Sequence, residues 1–215
     1  MNLSIIEARD LSEAWFLCIR KVIAEGREYI IERGSNIGQK RKELDYVVIK
    51  IKNPGILPLV PDVPQGVPAP SSMKYVENYL PYLMTSHKEE LEQYTYGEFL
   101  ENQIAEIIKM YKEDGYNTNQ ACMVIGNKES IYLSDPPCLR MIDTRVRDNT
   151  LHFIAYFRSW DLWAGFPSNL AAIQLLKEYI AEEIGVDDGE IIVSSKGLHL
   201  YDYTWELAKQ TAKMI

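Results

Sequence analysis

Apolar residues return at helical spacing along much of the chain. Leu11, Ala14, Trp15, Cys18, Val22 and Ala24 form one stripe, which predicts a helix over residues 11–32. Arg33-Gly34-Ser35-Asn36 breaks it, since glycine supplies turn geometry. Residues 73–84 and 97–112 also read as helices, the second with Phe99, Ile104, Ile107, Ile108 and Tyr111 on its buried side. The longest stripe is Leu170, Ile173, Leu176, Ile180 and Ile184. Pro167 and Ser168 open that helix, proline being tolerated in a first turn, and Gly185 closes it as a C-terminal cap. Residues 203–213 form a last helix.

Between the helices lie β-forming runs. Residues 44–51, with Tyr46-Val47-Val48-Ile49, predict a strand, and 121–126 and 131–134 two short ones. Residues 139–145 and 151–159 read as two strands joined by the polar turn Arg147-Asp148-Asn149-Thr150. Asp187-Asp188-Gly189 turns into a strand over 190–194. The proline-rich stretch 53–72 suits neither a helix nor a strand interior and reads as a surface excursion inside one domain. Strands and helices do not alternate regularly, so the expectation is an α+β fold, one domain over residues 1–215.

Composition narrows the class. The 215 residues are 47% hydrophobic and 25% charged, enough to bury a core without disulfides or structural metal. A formal net charge of −8 argues against a broad nucleic-acid surface, while a few local arginines still suit a small anion. Cys18, Cys122 and Cys138 are widely spaced with no CxxC, so reduced thiols and a cytoplasmic setting are expected. The N-terminal stretch with Glu7, Arg9 and Asp10 lacks a signal pattern, and no apolar run reaches membrane-spanning length.

Chemistry-bearing residues concentrate between Pro136 and Tyr201. Pro136-Pro137-Cys138 comes first, then Arg158-Ser159-Trp160-Asp161, Gly165-Phe166-Pro167-Ser168-Asn169, and His199-Leu200-Tyr201. This order, with these gaps, resembles the Pro-Cys, Arg-Ser-x-Asp, Gly-x-Pro-x-Asn and His-x-Tyr elements of the thymidylate synthase family. No single element is specific; the ordered set is. It covers the last third of the chain strongly and the middle weakly.

The resemblance implies a thymidylate synthase-like fold, a mixed β-sheet with helices packed on it. It also implies a methyltransferase that converts dUMP to dTMP. The co-substrate would be a reduced pterin, either 5,10-methylene-tetrahydrofolate or methylene-tetrahydromethanopterin, with no metal. Cys138 would be the nucleophile. A thiolate adding to uracil C6 makes C5 reactive, and cysteine reaches the ionised form near neutral pH more readily than serine. A nearby cation raises the thiolate fraction, and Arg158 is the candidate. Cys18 and Cys122 lack such surroundings and read as core.

The other roles follow the same resemblance. Arg158 and Ser159 would hold the phosphate, closed over by Arg33 in the Arg33-Gly34-Ser35 loop. Asn169 would read the pyrimidine edge, although an asparagine there also suits a helix cap. His199 and Tyr201, two apart on an extended segment, would donate to the deoxyribose 3′-hydroxyl. Asp161, Trp163 and Gly165 would face the pterin, with Trp163 alone reading more readily as core. Tyr96 would help order the water that removes the C5 proton, and Glu77 would be the glutamate that supports it.

Several positions depart from the family. Leu139 and Phe157 replace polar residues beside the cysteine and the arginine. Asn119-Gln120 stands where an Arg-Arg pair would reach the partner subunit's phosphate, which weakens the case for a homodimer and leaves a monomer open. Arg140, two residues beyond Cys138, could compensate, as could Lys40, Arg41 or Lys42. Fourteen residues follow Tyr201, so Ile215 would close the site in a reduced way. These features resemble the short archaeal branch of the family. The alternatives are a pyrimidine-nucleotide hydroxymethylase of the same superfamily, in which water rather than hydride ends the reaction, and a non-catalytic nucleotide-binding homologue. Asn169 favours uracil over cytosine.

Overall fold

The structure is a computed structural model that describes residues 1–213 apart from Ser35, Pro64 and Leu91. Two sheets carry the chain. The larger contains β1 (Leu3–Ala8), β4 (Tyr46–Ile51), β5 (Cys122–Val124), β6 (Leu139–Arg147), β7 (Thr150–Phe157) and β9 (Asp187–Ser195). Its spatial order is β1-β4-β9-β7-β6-β5, with β1/β4 and β7/β9 parallel and the other pairs antiparallel. The smaller sheet runs β2-β3-β10-β8, from β2 (Arg27–Ile30), β3 (Lys40–Leu44), β8 (Trp160–Asp161) and β10 (Leu198–Tyr201).

Five helices accompany the sheets among the described residues: α1 (Leu11–Glu25), α2 (Met73–Met84), α3 (Gly97–Asp114), α4 (Gly165–Ile184) and α5 (Trp205–Lys213). Helix α4 is the most deeply buried; Leu170, Ile173, Leu176 and Ile180 are wholly enclosed against β7, β9 and helices α1, α2 and α3. Gly185 ends it in the left-handed conformation at φ 74°, as its position in the pattern implies. Alternate residues of β4, β7 and β9 face this core, while Ile5 (69% exposed) and Ile154 (36%) stand on the open side of the sheet.

The mixed sheets and packed helices agree with the expected α+β class, and several local readings are corrected. Helix α1 stops at Glu25: Gly26 turns to an extended conformation (φ −64°, ψ 137°) where a side chain would meet the Val22 carbonyl at 2.5 Å, and residues 27–30 pair with β3 instead. β1 and β3 were not legible as strands. Residues 131–134 are not a strand; Lys128–Tyr132 is a 3-10 turn, capped by the Asn127 side chain. Asp187-Asp188-Gly189 lies within β9 rather than in a turn. The turn between β6 and β7 is tighter than expected, with Asp148 and Asn149 at φ 51° and 58°, the geometry of a two-residue hairpin. Among the described residues no helix is long and apolar enough to cross a membrane.

Candidate active site

The site begins where β6 starts. Cys138 precedes β6, and its carbonyl accepts the Arg158 N–H at 2.8 Å, tying the cysteine to the end of β7. The Arg158 side chain turns back on the same segment. Its Nε donates to the Pro137 carbonyl at 3.1 Å, and its Nη2 donates to Asp135 Oδ1 at 3.1 Å and to the Pro136 carbonyl. Prolines 136 and 137 have no N–H to donate, and both of their carbonyls accept from the arginine fork.

Cys138 opens into a cavity of ≈ 520 Å³, within the usual range for small-molecule sites. Arg33, Arg158, Ser159, Asp161, His199 and Tyr201 line it as well. Residues far apart in the chain are therefore gathered as the motif order implies. Arg33 and Gly34 contribute from the loop between β2 and β3; Ser35, in the same motif, lies outside the described residues, as does Ile215.

Several charges act on the Cys138 thiol. Burial pushes the Cys138 thiol up; Arg158, Arg41 and Arg140 pull it down, and Asp135 pushes it further up. Arg158 thus favours the thiolate as expected, but burial outweighs it. Its larger structural contribution is to hold the Asp135–Pro137 segment.

His199 is buried, and its Nδ1 lies 2.8 Å from the Gly197 carbonyl. A carbonyl only accepts, so Nδ1 carries the proton. Burial, and after it Arg41, lowers the pKa of the ring to about 3, so it is neutral near pH 7. Nε2 is then a bare acceptor, buried without a partner. In this tautomer Nε2 can accept a hydrogen bond but not donate one, unlike the donor role the resemblance implies. The Tyr201 oxygen accepts from Asn36 Nδ2 at 2.9 Å and Arg41 Nη2 at 3.0 Å, which leaves its own proton available to donate.

Asp161 joins two spaces. It lines the cysteine cavity and a neighbouring cleft with Ser71, Tyr75, Gly165, Ser168 and Asn169. Its carboxylate accepts the N–H groups of Trp163, Ala164 and Gly165 at 3.1–3.2 Å and so caps α4. Burial nevertheless raises its pKa, against those three bonds.

Asn169, Trp163, Arg140 and Tyr96, like Gly165, are expected residues that do not line the cysteine cavity. Asn169 has both ends of its amide engaged, accepting from Trp160 Nε1 and donating to the Tyr79 hydroxyl, each at 2.9 Å. Trp163 is 8% exposed and meets Trp15 edge-on at 5.3 Å, so it is core rather than a stacking surface. Arg140 is displaced by a β-bulge between Leu139 and Met141, which breaks the two-residue alternation that would have aimed it with Cys138. Its guanidinium lies over Gly126 instead. Tyr96 is buried beside the site, and its hydroxyl oxygen accepts the Leu139 N–H at 3.3 Å. It lines a separate cleft of ≈ 440 Å³ with Tyr75, Tyr79, Tyr82, Glu92 and Asn169.

Some residues were missed or misassigned. Glu77 is exposed on α2, whereas Glu92 is the carboxylate that lines the cleft with Tyr96; nothing in the spacing singles it out. Cys122 is half-buried at the sheet edge rather than in the core, unlike the enclosed Cys18. Of Lys40, Arg41 and Lys42, Arg41 lines the cavity, while Lys42 pairs with Glu28 at 3.3 Å. Lys196 also lines it and carries no motif signal. Asn119 and Gln120 are exposed just before β5.

Comparison with known proteins matches residues 84–214 to the family model described as Thymidylate synthase. A Methanosarcina mazei protein, provisionally named a thymidylate synthase, is 29% identical over 98% of this chain and 95% of its own. A similarly named protein of Methanothermobacter marburgensis is 28% identical over 97% of each. The thymidylate synthase of Listeria monocytogenes is 35% identical over 51% of this chain and 35% of its own. The family model spans more than half of the sequence, and the chain belongs to the thymidylate synthase family.

Proposed function

We propose that the protein is a thymidylate synthase, a methyltransferase that converts dUMP to dTMP with a methylene-carrying folate or methanopterin. The observation that carries this reading is the single cavity holding Cys138 with Arg33, Arg158, Ser159, Asp161, His199 and Tyr201. In this reading the Cys138 sulfur adds to C6 of the uracil, and the 5,6 π electrons move toward C5 and O4. C5 then has the nucleophilic character that free uracil lacks. The C5 proton later leaves, and the S–C6 bond breaks to release the product. The pterin, when bound, supplies the one-carbon unit and the hydride that complete the methyl group.

The chain's own groups bind and orient. Arg33, Arg158 and Ser159 face the phosphate, His199 accepts from the 3′-hydroxyl, and Tyr201 donates to it. Tyr96, with Glu92 as the supporting carboxylate, orders water for the C5 proton. Asp161 suits a pterin because its carboxylate is an acceptor shared by the cysteine cavity and the adjoining cleft, matching ring N–H donors. Gly165 lines that cleft with it. Residues 1–215 act as one catalytic domain in the cytoplasm, and two copies pair through the open sheet face that carries Ile5 and Ile154.

Tritium release from [5-³H]dUMP tests the chemistry, with each pterin supplied in turn. Release with dTMP formation supports the reading and identifies the donor. Binding of dUMP without release from either donor contradicts it.

A further inference from the structure

We propose that Arg41 and Lys196 hold the nucleotide phosphate from within the same chain, in place of the arginine pair that Asn119 and Gln120 do not supply. This rests on the dUMP reading of the cavity and adds the residues that make its anion site complete.

Positive charge outweighs negative in the cavity. Four cationic side chains, Arg33, Arg41, Arg158 and Lys196, line the cavity with two carboxylates, Asp135 and Asp161. Asp135 is paired with Arg158 at 3.1 Å. Asp161 spends its oxygens on the backbone N–H groups that open α4. Among the described residues no ion pair involves Arg33, Arg41 or Lys196. Glu43 feels the charges of Arg41 and Lys196, yet it does not line the cavity, and its Oε2 accepts from the Tyr29 hydroxyl at 2.8 Å. Three cations outside any ion pair therefore share one concave space in a chain of net charge −8. Such a cluster in a cleft focuses positive potential and attracts a small anion.

Arg41 is also built into place. Register pairs it with Tyr201 across β3 and β10, its Nη2 donates to the Tyr201 hydroxyl at 3.0 Å, and its guanidinium lies 5.1 Å from the centre of that ring. Its Nε is buried with no partner, an unmet donor that a ligand or a small side-chain shift would satisfy. Lys196 sits between β9 and β10, next to the Gly197 whose carbonyl fixes His199. A phosphate dianion is the part of a nucleotide that answers this many cations, with Ser159 as a hydroxyl donor.

The test compares the Kd of dUMP with that of deoxyuridine by calorimetry. Wild type should bind dUMP far more tightly. Lys196→Gln, an exposed change that leaves the fold intact, should lower the deoxyuridine-to-dUMP Kd ratio about ten- to hundredfold with little change for deoxyuridine. Arg41→Gln should lower the same ratio, and Lys74→Gln, which removes an equal charge from the surface of α2, should not. A wild-type ratio preserved in both Lys196→Gln and Arg41→Gln overturns the inference while the dUMP reading stands. A wild-type protein that binds both ligands equally overturns the dUMP reading and the inference with it. Mixing Lys196→Gln with Cys138→Ser should restore no activity; recovery would mean that the lysine acts across subunits, contrary to the proposal.

Discussion

Two neighbours fix the His199 imidazole before any ligand arrives. Gly197 takes the Nδ1 proton, and burial beside Arg41 keeps the ring from gaining a second one. The ring therefore offers a lone pair at Nε2 over the whole physiological range. The His-x-Tyr spacing was legible in the sequence, but the direction of the hydrogen bond was not, because Gly197 and Arg41 set the protonation state and neither belongs to the motif. Asn169 shows the same limit: its amide is spoken for by Trp160 and Tyr79, contacts that cross between elements. If Nε2 accepts the 3′-hydroxyl, His199→Phe should weaken dUMP about three- to tenfold, the worth of a neutral hydrogen bond. It should leave the affinity for the 2′,3′-dideoxy analogue nearly unchanged. Equal losses for both nucleotides in a binding titration would remove His199 from the hydroxyl.

Elements were legible where apolar periodicity was strong. The β6–β7 hairpin follows from its alternating residues and its Asp-Asn turn, and α4 from its stripe and terminal glycine. β3 was not, because Lys40-Arg41-Lys42-Glu43 has no apolar alternation; it is a strand because β2 and β10 supply partners on both edges. Leu139 and Phe157 gain meaning only when paired, since they sit opposite each other in register and are both buried, with Phe157 stacked on Trp160 at 4.0 Å. Two apolar departures thus form one cross-strand contact beside Cys138. Where α4 meets β9, Lys177 is fully enclosed, 3.4 Å from Asp188 and bonded to the Gly189 carbonyl. Burial lowers its pKa to about 8, against the pull of Asp188. Below that value the folded chain bears the cost of a buried ammonium. Between pH 8 and the unfolded value of 10.5, the unfolded chain holds more protons, so this group makes stability rise with pH. Relative to Lys177→Met, wild type should gain about 2–3 kcal/mol across that window in chemical denaturation. Parallel pH profiles for the two proteins would contradict the assignment.

At the scale of the whole molecule, one face of the larger sheet is sealed by helices and the other presents Leu3, Ile5, Val124 and Ile154 to solvent. A two-fold pair would lay this face, which also carries the Lys50–Glu190 ion pair, against itself. Ile154→Asp should therefore shift sedimentation from dimer to monomer, and a wild type that already sediments as a monomer would end the pairing proposal. The cysteine cavity lies instead where the smaller sheet, the loop after β2 and the start of β6 converge. That convergence could not be read from the sequence, although the motif order named Cys138, Arg158, Ser159, Asp161, His199 and Tyr201 among its lining. Lys196 and Glu92 escaped because their neighbours in the chain carry no pattern, and Arg140 was misplaced because a bulge leaves no trace in composition.

The account stands or falls on the sulfur of Cys138. Incubation with 5-fluoro-dUMP and the competent pterin, followed by peptide mass spectrometry, reads it out, because a fluorine at C5 prevents the proton loss that would free the enzyme. The expected result is a stable adduct on Cys138, absent from Cys138→Ser and retained in Cys18→Ser and Cys122→Ser. An adduct on Cys122 or any other residue, or a Cys138→Ser protein that still forms one, would contradict the assignment of the nucleophile.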